Sequence, residues 1–214
     1  MLDAFLRSLF YFIGIFYITY LVIYAVFAFL TVSLGAHRMY SNDRMQRLKN
    51  RLNHYDVPVS VIVPAYNESV TIVESIRSLL ALDYRQYEII VVDDGSIDNM
   101  AQIIIDEFDL KPANRPINHM LECQAEEAAY ETVVDNVRLT LVRKKNGGKG
   151  DALNMGINAC RHPYFICMDA DSKLQKDSLT EIVQPVLEDD SVVAVGGMIL
   201  ISQCVSTKDG KAIS

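Results

Sequence analysis

Apolar and polar residues follow two regimes along this chain. From Ser8 to Ala36 no charged residue occurs, and Phe, Ile, Leu, Val and Tyr crowd every helical face instead of one. At 1.5 Å per residue this run reaches about 43 Å, more than the ~30 Å hydrocarbon core of a bilayer. The pattern predicts a transmembrane helix within residues 1–36, with the excess length taken up by tilt or by ends in the headgroup layer. A cleaved signal peptide has an apolar region of only about 7–15 residues, so Ser33-Leu34-Gly35-Ala36 is not read as a cleavage site.

After residue 57 the pattern changes to short apolar runs alternating with helical periodicity. Strands are predicted at Val59–Val63, Tyr87–Val92, Val137–Val142, Tyr164–Met168 and Ser191–Val195. Helices are predicted at Glu68–Leu82, from Ile97 to Phe108 with Ser96 as N-cap, at Gly150–Cys160, and at Ser178–Leu187, where Pro185 is expected to kink or shorten the helix. Unbroken apolar strands separated by helices predict an α/β domain, a mostly parallel sheet with helices on both faces, over residues 58–214. Residues 109–136 break the pattern with Pro112, Pro116 and six acidic residues. They are expected to form a solvated insertion loop, with a short helix at Ala125–Tyr130.

Charge sharpens this division. Residues 1–57 carry six basic and three acidic groups, and residues 58–214 carry fourteen and twenty-four. The acidic globule argues against nucleic acid as a partner, which demands positive surface. Arg38, Arg44, Arg47, Lys49 and Arg51 follow the apolar run with only Asp43 among them, while Asp3 and Arg7 precede it. By the positive-inside rule the N-terminus lies outside and the globular domain in the cytoplasm, at the plasma membrane, with residues 37–57 as a basic juxtamembrane linker beside the lipid. Cys123, Cys160, Cys167 and Cys204 show neither paired spacing nor metal-ligand spacing, consistent with reduced thiols.

On parallel sheets ligands collect at the carboxyl ends of the strands. Three of those ends read Pro-Ala-Tyr-Asn-Glu (64–68), Asp-Asp-Gly-Ser (93–96) and Asp-Ala-Asp (169–171). In an extended segment Asp169 and Asp171 face one side, and two close carboxylates are costly without a cation between them. Mg²⁺ or Mn²⁺ satisfies that need and leaves positions for diphosphate oxygens; an Asp-rich helix start is the plainer alternative. A helix–loop–helix calcium site fails, because Leu174 stands where Gly is needed and Thr180 where Glu is needed. Asp93–Ser96 is either a turn with a helix cap or an acceptor for an imide N–H such as that of uracil. The glycine-rich segment Lys145–Asn154 opens a helix, and its backbone N–H groups with Lys149 make a diphosphate seat. It matches neither the P-loop nor the dinucleotide fingerprint. Tyr66 offers either a stacking face for a base or ordinary packing.

In this order, Val61–Glu68, Val92–Ser96, Asn146–Asn154 and Met168–Ser172 resemble the family 2 inverting glycosyltransferases with the GT-A, Rossmann-like fold. With the preceding membrane helix the chain looks like the membrane-bound polysaccharide synthases of that family. The resemblance implies a nucleobase pocket lined by Pro64, Ala65 and Tyr66 with Glu68 nearby, Asp94 on the uracil edge, and Lys149 on the diphosphate. Asp169 is implied at the ribose and metal, and Asp171 on a metal bridging the diphosphate. It also implies a nucleotide-sugar donor, a UDP-sugar by preference, and a glycan or lipid-linked acceptor. The family's general base and its Gln-x-x-Arg-Trp motif come after the fifth strand. No Trp occurs here, so no catalytic residue is assigned, the base is expected beyond Ser214, and the chain is expected to hold the donor and metal half and to turn over poorly alone. Two alternatives share this donor half: a non-catalytic nucleotide-binding membrane module, and a polyprenyl-phosphate glycosyltransferase.

Overall fold

A computed structural model describes residues 2–52, 57–114, 117–189 and 191–197, with the backbone of 206–208 and 211–213. The chain divides into two units, Met1–Tyr55 and Asp56–Ser214. The first is one helix, α1 (Leu2–Leu52), which continues through most of the segment read as a linker. Within it Phe5–Leu34 is long and apolar enough to cross a membrane. Its two threonines bond inside the helix: Thr19 donates to the Ile15 carbonyl at 2.8 Å, and Thr31 to that of Ala28 at 2.9 Å.

The second unit is built on β1 (Val59–Ala65), β2 (Tyr87–Asp93), β3 (Lys111–Pro112), β4 (Glu126–Val134), β5 (Val137–Lys144) and β6 (Tyr164–Cys167), in the order β3-β4-β5-β2-β1-β6. The four neighbouring strands β5, β2, β1 and β6 are parallel. Their alternate residues serve opposite layers. Val61, Val63, Ile89, Val91, Leu139 and Leu141 pack with Ile76 of α2 (Ile72–Leu80), Ile104 of α3 (Met100–Phe108) and Leu179 of α5 (Ser178–Glu188). Ile62, Ile90, Val92 and Val142 pack with Ala152, Met155 and Ala159 of α4 (Lys149–Ala159). Burial on both faces explains why β1 and β2 are largely apolar with little alternation.

Three expectations are corrected. Residues 125–130 are not helical: Glu126–Val134 is a strand antiparallel to β5, joined to it by Asp135 and Asn136, both at positive φ (49° and 68°). A two-residue turn of that hand matches the twist of a hairpin, and Asp-Asn between Val134 and Val137 was the signal for it. Ser191–Val195 forms no strand, and Val193 is 97% exposed; β-branched residues favour a strand only where a partner and a buried face await them. Ser96 does not cap α3, which starts at Met100 after Asn99. Its hydroxyl accepts the Asn67 N–H at 3.0 Å instead. Pro185 lies within α5, which runs on to Glu188. A separate pair of three-residue strands, β7 (Ser206–Lys208) and β8 (Lys211–Ile213), is antiparallel. Among the described cysteines Cys123 and Cys160 are half-buried and Cys167 exposed, with no disulfide; Cys204 lies outside the described residues.

Strand order reverses at β1, with β2 on one side and β6 on the other. The β1–β6 ladder ends at Ile62 opposite Cys167, whereas the β1–β2 ladder continues to Ala65 opposite Asp93. Past Ile62 one side of β1 is therefore unpaired by β6, which is where Pro64, lacking an N–H, is tolerated. The parting of these strands opens a crevice at the switch point.

Helix α4 reaches the sheet through Gly156, where an added Cβ would lie 2.3 Å from Cγ2 of the fully buried Ile62. Gly156→Ala is expected to lower stability by about 1–3 kcal/mol through overpacking, despite the better helix propensity of Ala. Urea unfolding followed by circular dichroism measures it.

Candidate functional site

Four segments meet at the carboxyl end of the sheet. The first comes directly after β1. Asn67 takes φ 57°, and its side-chain oxygen accepts the Ile97 N–H at 2.9 Å. Ser69 N–H donates to Asp98 at 3.0 Å, so the loops after β1 and β2 are tied together. Tyr66 is left 47% exposed. Glu68 accepts the Thr71 hydroxyl at 2.8 Å.

In the second segment the two aspartates divide their work. Asp93 is a turn residue: it is buried and accepts the Ser96 N–H at 2.9 Å. Asp94 is also buried, and receives the N–H groups of Gly147 at 3.0 Å and Gly148 at 2.8 Å. Gly148 takes φ +87° to present its N–H in this way. Asn146 donates its side-chain amide to the Asp94 carbonyl at 2.8 Å. Its backbone passes so close to Gly95 that a Cβ there would sit 2.8 Å from the Asn146 nitrogen. The glycine-rich turn, the third segment, is thus moulded onto Asp94 before it enters α4.

A residue that sequence inspection did not single out completes this arrangement. Lys144, the last residue of β5, has no exposed surface. Its ammonium pairs with Asp94, with Asp151 in the first turn of α4 at 2.5 Å, and with the Lys145 carbonyl at 2.8 Å. Burial, the largest influence, pulls its pKa down, but hydrogen bonds and charge from Asp151 and Asp94 carry it above the usual lysine value. A buried carboxylate (Asp94) beside a partly buried one (Asp151) explains the need for a cation, and its position at the end of a β-strand was the one available hint. Asp151 further accepts the Gln124 N–H at 3.0 Å. Asn154 donates to the Glu122 carbonyl at 3.0 Å, and Asn158 accepts the Leu121 N–H at 2.9 Å. Residues 118–124 are thereby strapped along α4, not free as an acidic excursion.

The fourth segment lies after β6. Asp169–Asp171 is a turn, closed by Ser172 N–H on the Asp169 carbonyl at 3.0 Å, and not the extended stretch expected. Ser75 of α2 pins it by donating to the Ala170 carbonyl at 2.5 Å. Both carboxylates nonetheless face the same space. Lys149 at the start of α4 reaches across, its Nζ 2.6 Å from Asp169. The hydrogen bond and charge of Asp169 raise the Lys149 pKa, with Asp171 adding to the effect.

Pro64, Ala65, Tyr66, Glu68, Asp94, Lys149, Asp169 and Asp171 all line one cleft of about 260 Å³, closed by Ala152 and Ala170. Every residue expected at a donor site therefore shares a single cavity. Among the described residues no three His, Cys, Asp or Glu side chains cluster as a metal site. The two exposed aspartates suit a hard divalent ion by donor type, while the Lys149 ammonium on Asp169 competes with such an ion. Two carboxylates would leave most of its coordination shell open to other oxygen ligands.

The sequence pattern described as Glycosyl transferase family 2 matches residues 60–122 and 123–211. The chain belongs to glycosyl transferase family 2. Relatives of this family 2 chain include poly-beta-1,6-N-acetyl-D-glucosamine synthases. That of Staphylococcus aureus (strain COL) is 26% identical over 185 residues, 85% of this chain and 39% of that protein. That of Staphylococcus epidermidis is 31% identical over 139 residues, covering 65% and 28%. The chain thus spans about two fifths of the length of the first of these. Among solved structures, the mannosyltransferase PcManGT from Pyrobaculum calidifontis, in complex with GDP-Man and Mn²⁺, is 24% identical with a TM-score of 0.48, covering 71% of this chain and 41% of that one. S. aureus TarS 1–349 in complex with UDP-GlcNAc is 24% identical with a TM-score of 0.43, covering 62% and 32%.

Removing the buried cation leaves Asp94 and Asp151 uncompensated. Lys144→Met is expected to cost about 3–5 kcal/mol of stability, read from the shift of the urea midpoint. Because the folded-state pKa of Lys144 is raised, its contribution is full below the unfolded lysine value of about 10.4 and is lost as pH rises through the folded value. Wild-type melting temperature should therefore fall in alkaline titration more steeply than that of Lys144→Met.

Proposed function

We propose that this chain is the donor-binding part of a membrane-anchored, inverting glycosyltransferase that moves a sugar from a UDP-sugar to a growing glycan. The observation that carries it is the convergence on one cleft of an aromatic face, a lysine at a helix N-terminus and a pair of aspartates. The family 2 match and the synthase relatives support the same reading.

Each residue has a role its surroundings favour. Tyr66, half exposed at the rim, stacks on the nucleobase, with Pro64 and Ala65 as the apolar wall and Glu68 beside them. Asp94 has three of its roughly four acceptor positions filled by Lys144, Gly147 and Gly148, which leaves one for an imide N–H. Lys149 meets the diphosphate, as a cation at the positive end of α4. Asp169 approaches the ribose and shares with Asp171 the Mg²⁺ or Mn²⁺. That ion, when bound, neutralises negative charge on the departing diphosphate. The acceptor hydroxyl attacks the anomeric carbon opposite the diphosphate, inverting it, after losing its proton to a base supplied outside the residues assigned here.

Membrane attachment rests on the Phe5–Leu34 span. The basic residues from Arg38 to Arg51 favour a cytoplasmic face for the globular domain.

Calorimetry with UDP on the detergent-purified chain is expected to give binding that needs Mn²⁺ or Mg²⁺ and disappears in Asp171→Ala. Absence of any metal-dependent UDP affinity would falsify the proposal. Tyr66→Ala should weaken UDP binding by about 0.5–1.5 kcal/mol without changing its metal dependence.

A further inference from the structure

The ammonium of Lys149 occupies one oxygen of Asp169, a carboxylate assigned above to the metal. It lies 2.6 Å from one carboxylate oxygen, and the two side chains are 64% and 56% exposed. Asp171 lies close enough for its charge to act on the same ammonium. Both aspartates and the lysine border the same cleft. Lys149 is also the residue whose charge a diphosphate would attract, at the first turn of α4.

Resting on the donor-site reading above, we propose that Lys149 is an internal counter-ion that locks the aspartate pair until nucleotide arrives, so that metal and diphosphate bind together. Without nucleotide, Lys149 neutralises Asp169, and a divalent ion must displace a tethered cation to bind there. A diphosphate draws Lys149 away, frees the Asp169 carboxylate and supplies the missing oxygen ligands. One ion pair is exchanged for two contacts of opposite sign: lysine with phosphate, and carboxylate with metal. By linkage, a metal that has displaced Lys149 raises the affinity for the diphosphate by the same factor as the diphosphate raises affinity for the metal. The lock is easily opened, because an ion pair this exposed is held only weakly. A buried pair, such as that of Lys144, would not release. Pairing with Lys149 also avoids holding two unneutralised carboxylates side by side.

Titration of the full chain with Mn²⁺ alone, followed by the electron paramagnetic resonance signal of the free ion, isolates this effect from catalysis. Lys149→Met should bind Mn²⁺ about threefold or more tighter than wild type, on the scale of an exposed ion pair plus relief of like-charge repulsion. Lys149→Arg, which keeps the charge, should remain near wild type. The gain should vanish in Lys149→Met combined with Asp169→Asn, and UDP should enhance Mn²⁺ affinity less in Lys149→Met than in wild type. If Lys149→Met binds Mn²⁺ no tighter than wild type while wild type still binds UDP in an Asp171-dependent way, the lock is refuted and the donor site stands. If wild type shows no Asp171-dependent binding of UDP with Mn²⁺, the donor site fails and the lock with it. Melting curves of each variant establish that it is folded; the exposed Lys149 and Asp169 bury nothing on which folding depends.

Discussion

Lys144 and its two carboxylates join the elements from which the cleft is made. The ammonium ends β5, Asp94 comes just after β2 and Asp151 opens α4. With no exposed surface on the lysine, none of these charges is tolerable without the others. Their mutual satisfaction holds the glycine turn against Asp94, aims the N-terminus of α4 at the crevice and places Lys149 opposite Asp169. Through Gln124 on Asp151, the same cluster anchors the segment that leads into β4. A buried charge cluster specifies one arrangement because any slip leaves an unpaired ion.

The contrast between the two lysines is one of solvent. Lys144 and Lys149 lie five positions apart and each pairs with aspartate. Burial makes the first a structural rivet, since its release would strand charges in a low-dielectric interior. Exposure makes the second exchangeable, since water and incoming anions compete for it. The cleft thus combines a rigid frame with one loosely held charge at its rim.

The crevice itself arises from topology. Because β1 is paired by β2 to its end but by β6 only as far as Ile62, its final residues flank a gap. The turn after β6 closes that gap, with its aspartates held in place by Ser75. The resulting wall is aromatic on one side and acidic on the other, with a lysine between them.

Much of this was legible from residue order alone. The parallel core could be read from Val59–Val63, Tyr87–Val92 and Val137–Val142, because strands buried on both faces must be predominantly apolar. Each expected site residue also lay at a strand end or helix start, and strand ends on one edge of a parallel sheet are neighbours by construction. Tertiary structure alone decided the rest. The strand at Glu126–Val134 is acidic and half-exposed, so its identity depends on the edge of β5 beside it. Ser191–Val195 has the composition of a strand but no such edge. Lys144 is an ordinary basic residue until folding brings two aspartates around it, and the pairing of Lys149 with Asp169 joins residues from opposite sides of the crevice. Local pattern reports what a segment can bury; only the assembled fold determines which charges must share the space that burial leaves.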